Sequence, residues 1–399
     1  MPATATSRLD LLDERVLEDP YPVYEAMRRM GPAVYLERHG VWAVPGHHEI
    51  ASILGAADVF RTEGPRALTP LAGAILPFDG EQHARLRQVL AHRLGAQAIA
   101  RLQRDLNVRA WRLVSEHCEG GFDAVALARD MAAGTVMDLM GLPPHAQPAV
   151  LEAMTTNLAA SDALGPPAAG ALASFLATAV TRDNVQGGSW MEKAIFQAVD
   201  AGKLDEREAI PLAAVYVSAG IDSTVLGLAQ VIVQLSRHPE QWSELRSVPA
   251  RAEAAFHEAL RLDAPIQALG RLAMERVDLD GVQLEAGERV WLLLGSAGRD
   301  PSKWGLHADR YDLRRPGSDK HLALGAGQHK CPGTNLTLMQ ARALLRALAD
   351  HCTTLAPAGR PTAAQTHIMR GFTTAPIATS CSRTRARRPV LVSLSESPR

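Results

Sequence analysis

No charge of either sign dominates this chain of 399 residues: 42 Lys and Arg face 43 Asp and Glu, a formal net charge of -1 with the 14 histidines neutral. That balance excludes a whole-surface electrostatic grip on nucleic acid or on an anionic membrane and leaves only local patches for such contacts. Cysteine is scarce and unpatterned. Cys118, Cys331, Cys352 and Cys381 form no CxxC pair and no short regular spacing, which argues against a disulfide framework. The N-terminal stretch MPATATSRLDLLDERVLEDP lacks the apolar run of roughly 7–15 residues that a signal peptide needs, and a cytoplasmic protein is expected. Repeats and low-complexity linkers are missing too, so nothing divides the chain.

What is present suits a large core: 47% of the residues are hydrophobic and 21% charged. Length alone suggests two or three domains at about 150 residues each, but the uninterrupted patterning predicts one compact body. Residues 209–235 are long and apolar enough to raise the question of a membrane span. Asp222 stands at their centre, and a carboxylate is costly in lipid, so a long helix through a protein core is expected instead. Apolar positions recur at three and four along 21–30, 83–94, 99–118, 124–140, 168–180, 207–236, 249–262 and 335–351, predicting helices. Alternation at 33–37, 41–44, 277–279, 282–284 and 290–294, with Asp-Gly and Ala-Gly turns between, predicts short strands. The fold class is mainly α with minor β. From Ser380 onward the run SRTRARRP marks a basic tail or terminal strand beyond the main body, 1–379. One such cluster without interleaved aromatics is no nucleic-acid signature.

The segment HLALGAGQHKCPG, residues 321–333, carries the chemistry. Gly325 and Gly327 allow tight turning and close approach to a flat ligand, and Cys331 follows just before a predicted helix. At a helix N-terminus the macrodipole and free N–H groups favour a thiolate and donate to its sulfur, as an axial iron ligand requires. Taken alone, the cysteine is ordinarily better read as a small buried residue in a glycine-rich turn.

Three other segments decide between these readings, and with the cysteine loop they make the chain resemble the cytochrome P-450 family over nearly its whole length. Gly325, Gly327, His329, Cys331 and Gly333 match the register of the family's Phe-Gly-x-Gly-x-His-x-Cys-x-Gly loop, with Leu324 at the usual phenylalanine. Glu258-Ala259-Leu260-Arg261 resembles the Glu-x-x-Arg of helix K, Ala219-Gly220-Ile221-Asp222-Ser223-Thr224 the oxygen-side motif of helix I, and Asp79 to Arg87 the helix C motif of bacterial members.

The resemblance implies a P-450 fold and haem b (iron protoporphyrin IX) ligated by Cys331, with His83, Arg87, Arg271 and His329 on its propionates and Ala219 and Gly220 beside it. His83 and Arg87 are four apart and share a helix face, as converging donors should. Glu258, Arg261 and, by resemblance, Arg315 form a structural triad. Asp222 and Ser223 would deliver protons, Ser223 standing where the family commonly has threonine. A serine there either serves the relay or back-bonds to the helix carbonyl four residues earlier. Gly220 has two explanations as well, a packing accommodation or room for dioxygen. The implied pocket comprises residues 64–76 and 157–165, Ala214, Val217 and Ser218, Ile266 to Leu269, and Phe372 and Thr373. The implied reaction is monooxygenation of a small hydrophobic, aromatic-leaning substrate, using O2 and electrons from NAD(P)H. A ferredoxin- or flavodoxin-type donor with its reductase would bring them, docking near Lys330, Arg85, Arg93 and Arg101 of a monomer. Diversion of the same chemistry to oxidative coupling, ring formation or dehydrogenation is the alternative; a non-catalytic helical binding protein has no need of this register.

Overall fold

Spacing at three and four residues becomes helix in the computed structural model, which describes residues 5–62, 79–91, 93–142, 148–152, 177–178, 181–182, 190–364 and 369–381. The described helices are α1 (Glu14–Glu18), α2 (Tyr21–Met30), α3 (His47–Gly55), α4 (Gly80–Ala91), α5 (Ala96–Ile99), α6 (Gln103–His117) and α7 (Ala124–Met140). After them come α8 (Trp190–Asp200), α9 (Glu206–Arg237), α10 (Pro239–Ser247), α11 (Ala252–Leu262), α12 (Leu294–Gly298), α13 (Pro301–Trp304) and α14 (Thr334–His351). Most expected helices appear within a few residues. The helix expected at 99–118 is instead split by a 3-10 turn between α5 and α6, and α4 starts three residues earlier than His83, at Gly80. Most of the helix expected at 168–180, the loops 64–76 and 157–165, and the tail from 382 lie outside the described residues.

Caps explain why the two central helices end where they do. The Asp123 side chain accepts from the backbone of Val125 and Ala126 to start α7, and Gly141, left-handed at φ 69°, stops it. Asp205 and Glu208 form a reciprocal capping box at the start of the 32-residue α9. Burial changes along α9. From Thr224 to Ser236 every residue is buried, whereas Ala214, Val215, Tyr216, Ala219 and Ser223 are only half-buried. The helix packs against α7 and α11, with Gly220 against Val136 and Gly227 against Phe256 and Leu260, which accounts for an apolar run of membrane-span length within a protein core.

The described strands form one larger sheet and three small ones. The order is β1 (Thr6–Ser7), β2 (Val34–Leu36), β3 (Val41–Val44), β9 (Arg289–Leu292), β6 (Leu269–Ala273) and β4 (Phe60–Arg61) in the first. Here the expected hairpin, β2 against β3, is antiparallel, and β3 runs parallel to β9. The strand expected to reach Leu294 stops at Leu292, because Leu294 already opens α12. Val277–Leu279 and Val282–Leu284, β7 and β8, pair as a separate hairpin whose Asp280 and Gly281 are left-handed at φ 48° and 90°, the backbone that an Asp-Gly turn demands. A three-stranded sheet joins β10 (Cys352–Pro357), β13 (Pro376–Cys381) and β5 (Phe122–Asp123), and β11 (Thr362–Ala363) pairs β12 (Phe372–Thr374).

Glu258 and Arg261 of α11 are fully buried and joined by two bonds, 2.7 and 2.8 Å, from Nε and Nη2. Arg315 adds Nε at 2.9 Å and the Asp312 amide a further 3.0 Å contact to the same carboxylate. The remaining guanidinium hydrogens go to carbonyls of Gly298, Ala308, Arg310, Trp304 and His307. Thus carbonyls of the segment leading to the cysteine loop accept from two side chains, Arg261 of α11 and Arg315, both held by one carboxylate. A second tie is histidine to histidine: the Ala323 amide donates to His321 Nδ1 at 3.1 Å, leaving Nε2 to donate to His257 Nδ1, also at 3.1 Å. Burial holds His321 down to about 3, so it is neutral at pH 7.

Removing one member of a buried ion pair costs roughly 3–5 kcal/mol. Glu258→Ala should therefore leave little soluble protein and no ordered cysteine loop, read as expression yield and thermal melting. Yield and melting equal to the natural protein would contradict the role assigned to this carboxylate.

Candidate active site

One cavity lies between α9 and the cysteine loop, walled by Ala219, Gly220 and Ser223 on one side and by Leu324, Gly325 and Cys331 on the other. Left-handed glycines shape the loop. Gly327, at φ 65°, presses on Leu54 of α3 so closely that a Cβ would stand 2.2 Å from the Leu54 carbonyl oxygen, so no larger residue fits. Cys331 donates its amide to Leu324 O at 2.8 Å. Its thiol is pushed up by burial, while the amides of Gly333 and Thr334 oppose the shift by hydrogen-bonding the sulfur; the Thr334 hydroxyl donates to the Cys331 carbonyl at 2.8 Å. The two amides are donors for a thiolate.

His83, Arg87, Arg271 and His329 line one corner of the same cavity. The His83 and His329 rings are 4.0 Å apart, centroid to centroid. Burial, then the neighbouring His329 and Arg87, hold His83 down to about 4. His329 Nε2 donates to Asp79 at 2.7 Å, and the amide of Thr62 donates to the other Asp79 oxygen at 2.6 Å. Burial pushes the Asp79 carboxyl up, but Thr62 and His329 outweigh it and the net shift is downward. Arg271, buried on β6, gives one hydrogen bond to Gly270 O at 2.7 Å, and Arg87 reaches Lys330 O. Donors exceed acceptors in this corner, which fits a flat cofactor carrying two carboxylates beside a cysteine ligand. The donor set fits haem.

Of the residues expected at the pocket, Ile266 and Leu269 reach the wall. Val217 does not: it is fully buried in the main core, and Val215 and Tyr216 take the wall position, a helix-phase correction of one or two residues at about 100° each. Phe372 packs against the main core and Thr373 is exposed on β12, so neither contributes to the described wall. Arg85 is no free docking cation, since Glu208 takes its guanidinium in a fork at 2.7 and 2.6 Å. Gly220 borders the cavity, but its missing side chain is explained by α7, where a Cβ would meet Val136 at 2.8 Å.

Ser223 is on the wall and donates to Ala219 O at 3.2 Å, leaving its lone pairs free to accept. Thr224 is on the wall too, where it meets the Thr337 hydroxyl of α14 at 3.3 Å. Asp222 is off the cavity wall. Burial raises its carboxyl to about 7, opposed by Arg129 of α7. Composition and spacing did not single out Tyr216 or Gln340. Both border the cavity, and neither the Tyr216 hydroxyl nor either Gln340 amide atom has a hydrogen-bond partner among the described residues. A polar residue within an apolar helical pattern was the available signal.

A long core helix facing a cysteine loop locked by a buried Glu-Arg pair defines a haem-thiolate class of helical oxidoreductase. Residues 249–377 match the family model described as cytochrome P-450. The chain is 31% identical over 383 residues to cytochrome P-450 CYP199A2 of Rhodopseudomonas palustris, covering 90% of each, and 28% identical over 375 residues to the cytochrome P-450 monooxygenase PikC of Streptomyces venezuelae, covering 87% of each. It superposes on the crystal structure of CalO2 with a TM-score of 0.83 at 27% identity, covering 95% of this chain and 99% of that one. The chain belongs to the cytochrome P-450 family, and it is an oxidoreductase of that family.

The raised acid has a measurable consequence. The unfolded chain releases the Asp222 proton near the ordinary 3.8 and the folded chain near 7, so folding takes up a proton between those values. The destabilisation grows as pH rises from about 4 to 7 and is constant above. Asp222→Asn should be more stable than the natural protein at pH 8 by on the order of 4 kcal/mol, with the difference shrinking toward pH 4. Denaturant unfolding of both proteins across pH 4–8 checks it; a pH-independent difference would refute the assignment.

Proposed function

We propose that this protein is a cytoplasmic haem-thiolate monooxygenase that places one oxygen atom of O2 into a small hydrophobic organic substrate, an aromatic one being favoured. Two electrons come from NAD(P)H through a reductase and a ferredoxin- or flavodoxin-type donor. The observation that carries this reading is Cys331 facing Ala219 and Gly220 across a cavity with four nitrogen donors at one corner. Haem, when bound, supplies thiolate-ligated iron able to activate dioxygen.

The protein's part is placement. Cys331 would ligate the iron, its sulfur receiving the Gly333 and Thr334 donors. His83, Arg87, Arg271 and His329 would hold the propionates as charge-assisted donors, with Asp79 orienting His329. Ser223 would hold a water by accepting through its free lone pairs. Asp222, half protonated near neutral pH, would pass protons to that water from behind the wall. Apolar side chains of Leu94, Leu139, Met140, Val215, Ile266 and Leu269 would select a substrate by shape. The unpartnered Tyr216 hydroxyl would supply a polar fixing point. Donor docking near Lys330 would put the electron source close to the cysteine loop.

Reduced protein under carbon monoxide should show a thiolate-type spectrum that Cys331→Ala loses and Cys352→Ala and Cys381→Ala keep; the reverse pattern would dismiss Cys331 as ligand. Spin-state titration with aromatic acids, ethers and hydrocarbons tests the substrate class, and a product heavier by one oxygen rather than lighter by two hydrogens tests the reaction.

Coupling should depend on Ser223. Ser223→Ala should raise hydrogen peroxide released per electron pair, and Ser223→Thr, whose methyl narrows the rotamer choice, should lower it. Equal coupling in all three proteins, with Thr224→Ala damaging instead, would move the relay to the other hydroxyl.

A further inference from the structure

Three of the four cysteines are unused by the site described above, and they meet. Cys118 is the residue on which α6 ends, Cys352 opens β10, and Cys381 closes β13. Cys352 and Cys381 are partners across the antiparallel β10–β13 pair. The Cys118 and Cys381 sulfurs are 2.8 Å apart although 263 residues separate them in sequence. That gap is less than about 1 Å longer than the roughly 2.05 Å of a covalent disulfide.

The backbones on both sides are already held together by other bonds. The Thr379 hydroxyl donates to the Cys118 carbonyl. Ile377 pairs with Phe122 across β13 and β5, and the Ala375 amide donates to the Asp123 carboxylate at 2.8 Å. Gly121, at φ 97°, approaches β13 so closely that a Cβ would lie 2.5 Å from Ile377 O. Side-chain rotation alone would therefore bring the sulfurs into bonding distance, with no strand displaced.

We propose that Cys118 and Cys381 form a reversible redox clasp, in which two-electron oxidation by a peroxide joins β13 covalently to the end of α6. Cys381 is partly exposed while Cys118 and Cys352 are buried, so the oxidant enters at Cys381. The Cys381 sulfur attacks the peroxide O–O bond, giving a sulfenic acid and, for hydrogen peroxide, one water. The Cys118 sulfur then attacks that sulfenic sulfur, forming S–S and releasing the second water. In total two thiols and one hydrogen peroxide give one disulfide and two waters. Two equivalents of a small thiol reverse it by exchange. Burial and the neighbouring Cys381 hold the Cys118 thiol up to about 11, so closure answers sustained oxidant rather than a brief pulse. The clasp braces the sheet from which α7 starts, the helix that carries Val136, Leu139 and Met140 to the cavity wall.

Purified haem-loaded protein would be treated with diamide, a diazene that accepts two electrons and two protons, or with dithiothreitol. After alkylation of free thiols and digestion without reduction, peptides are mapped by mass spectrometry. A Cys118–Cys381 linked peptide pair in the diamide sample, absent after dithiothreitol, is expected. So is a melting temperature raised by roughly 3–6 °C in the oxidised form. Cys352→Ser should keep both effects and Cys381→Ser should lose both. Free, alkylated Cys118 and Cys381 after diamide, a Cys352–Cys381 link in their place, or a melting gain that persists in Cys381→Ser would each overturn the proposal. Mapping the natural protein alone decides it if a variant fails to fold.

Discussion

The Glu258 carboxylate is the constraint on which the position of the cysteine loop depends. Its oxygens accept from Arg261, from Arg315 and from the Asp312 amide, and the two guanidiniums spend their other hydrogens on five carbonyls between Gly298 and Arg310. Buried backbone with no helix or sheet partner is expensive. Here two side chains serve as its ladder, and the carboxylate makes their charge tolerable. The ion pair thus matters less for its own free energy than for the stretch of chain it ties down.

Charge is arranged differently at the cavity corner. Two histidines at ring contact and two arginines face one carboxylate, so burial and mutual repulsion push protons off His83, while Asp79 takes the hydrogen of His329. Negative charge introduced there favours the protonated rings. The corner is therefore preorganised for anions: its fixed dipoles and guanidiniums are in place before any anion arrives, and the two rings take up protons from solvent in response.

Sequence pattern disclosed elements whose ends carry local chemistry. Asp123 and Gly141 bound α7, Asp205 and Glu208 open α9, and Asp280-Gly281 turns a hairpin, all within a few residues of chain. The order and register of Gly325, Gly327, His329 and Cys331 were legible for the same reason. What pattern left hidden depends on distant partners. Val217 and Tyr216 differ by one step on α9, and because a core and an apolar cavity both demand hydrophobic walls, periodicity could not tell which side faces which. Asp79 was visible in a motif, but its hold on His329, 250 residues away, was not. The thiol cluster was equally hidden, since no spacing links Cys118 to Cys381. Gly220 admitted two explanations until Val136 was seen against it.

The change in burial along α9 divides one helix into a root and a blade. Its second half, Thr224 to Ser236, is clamped on all sides, so substitutions there are paid in folding stability. Its first half meets neighbours on one flank and open space on the other, so side chains there can be exchanged without disturbing the clamp. Val215 and Tyr216 are on that free flank. Divergence in what the cavity admits can therefore proceed by single replacements at the blade, while the root keeps the helix, and with it Ala219 and Ser223, at a constant height over Cys331.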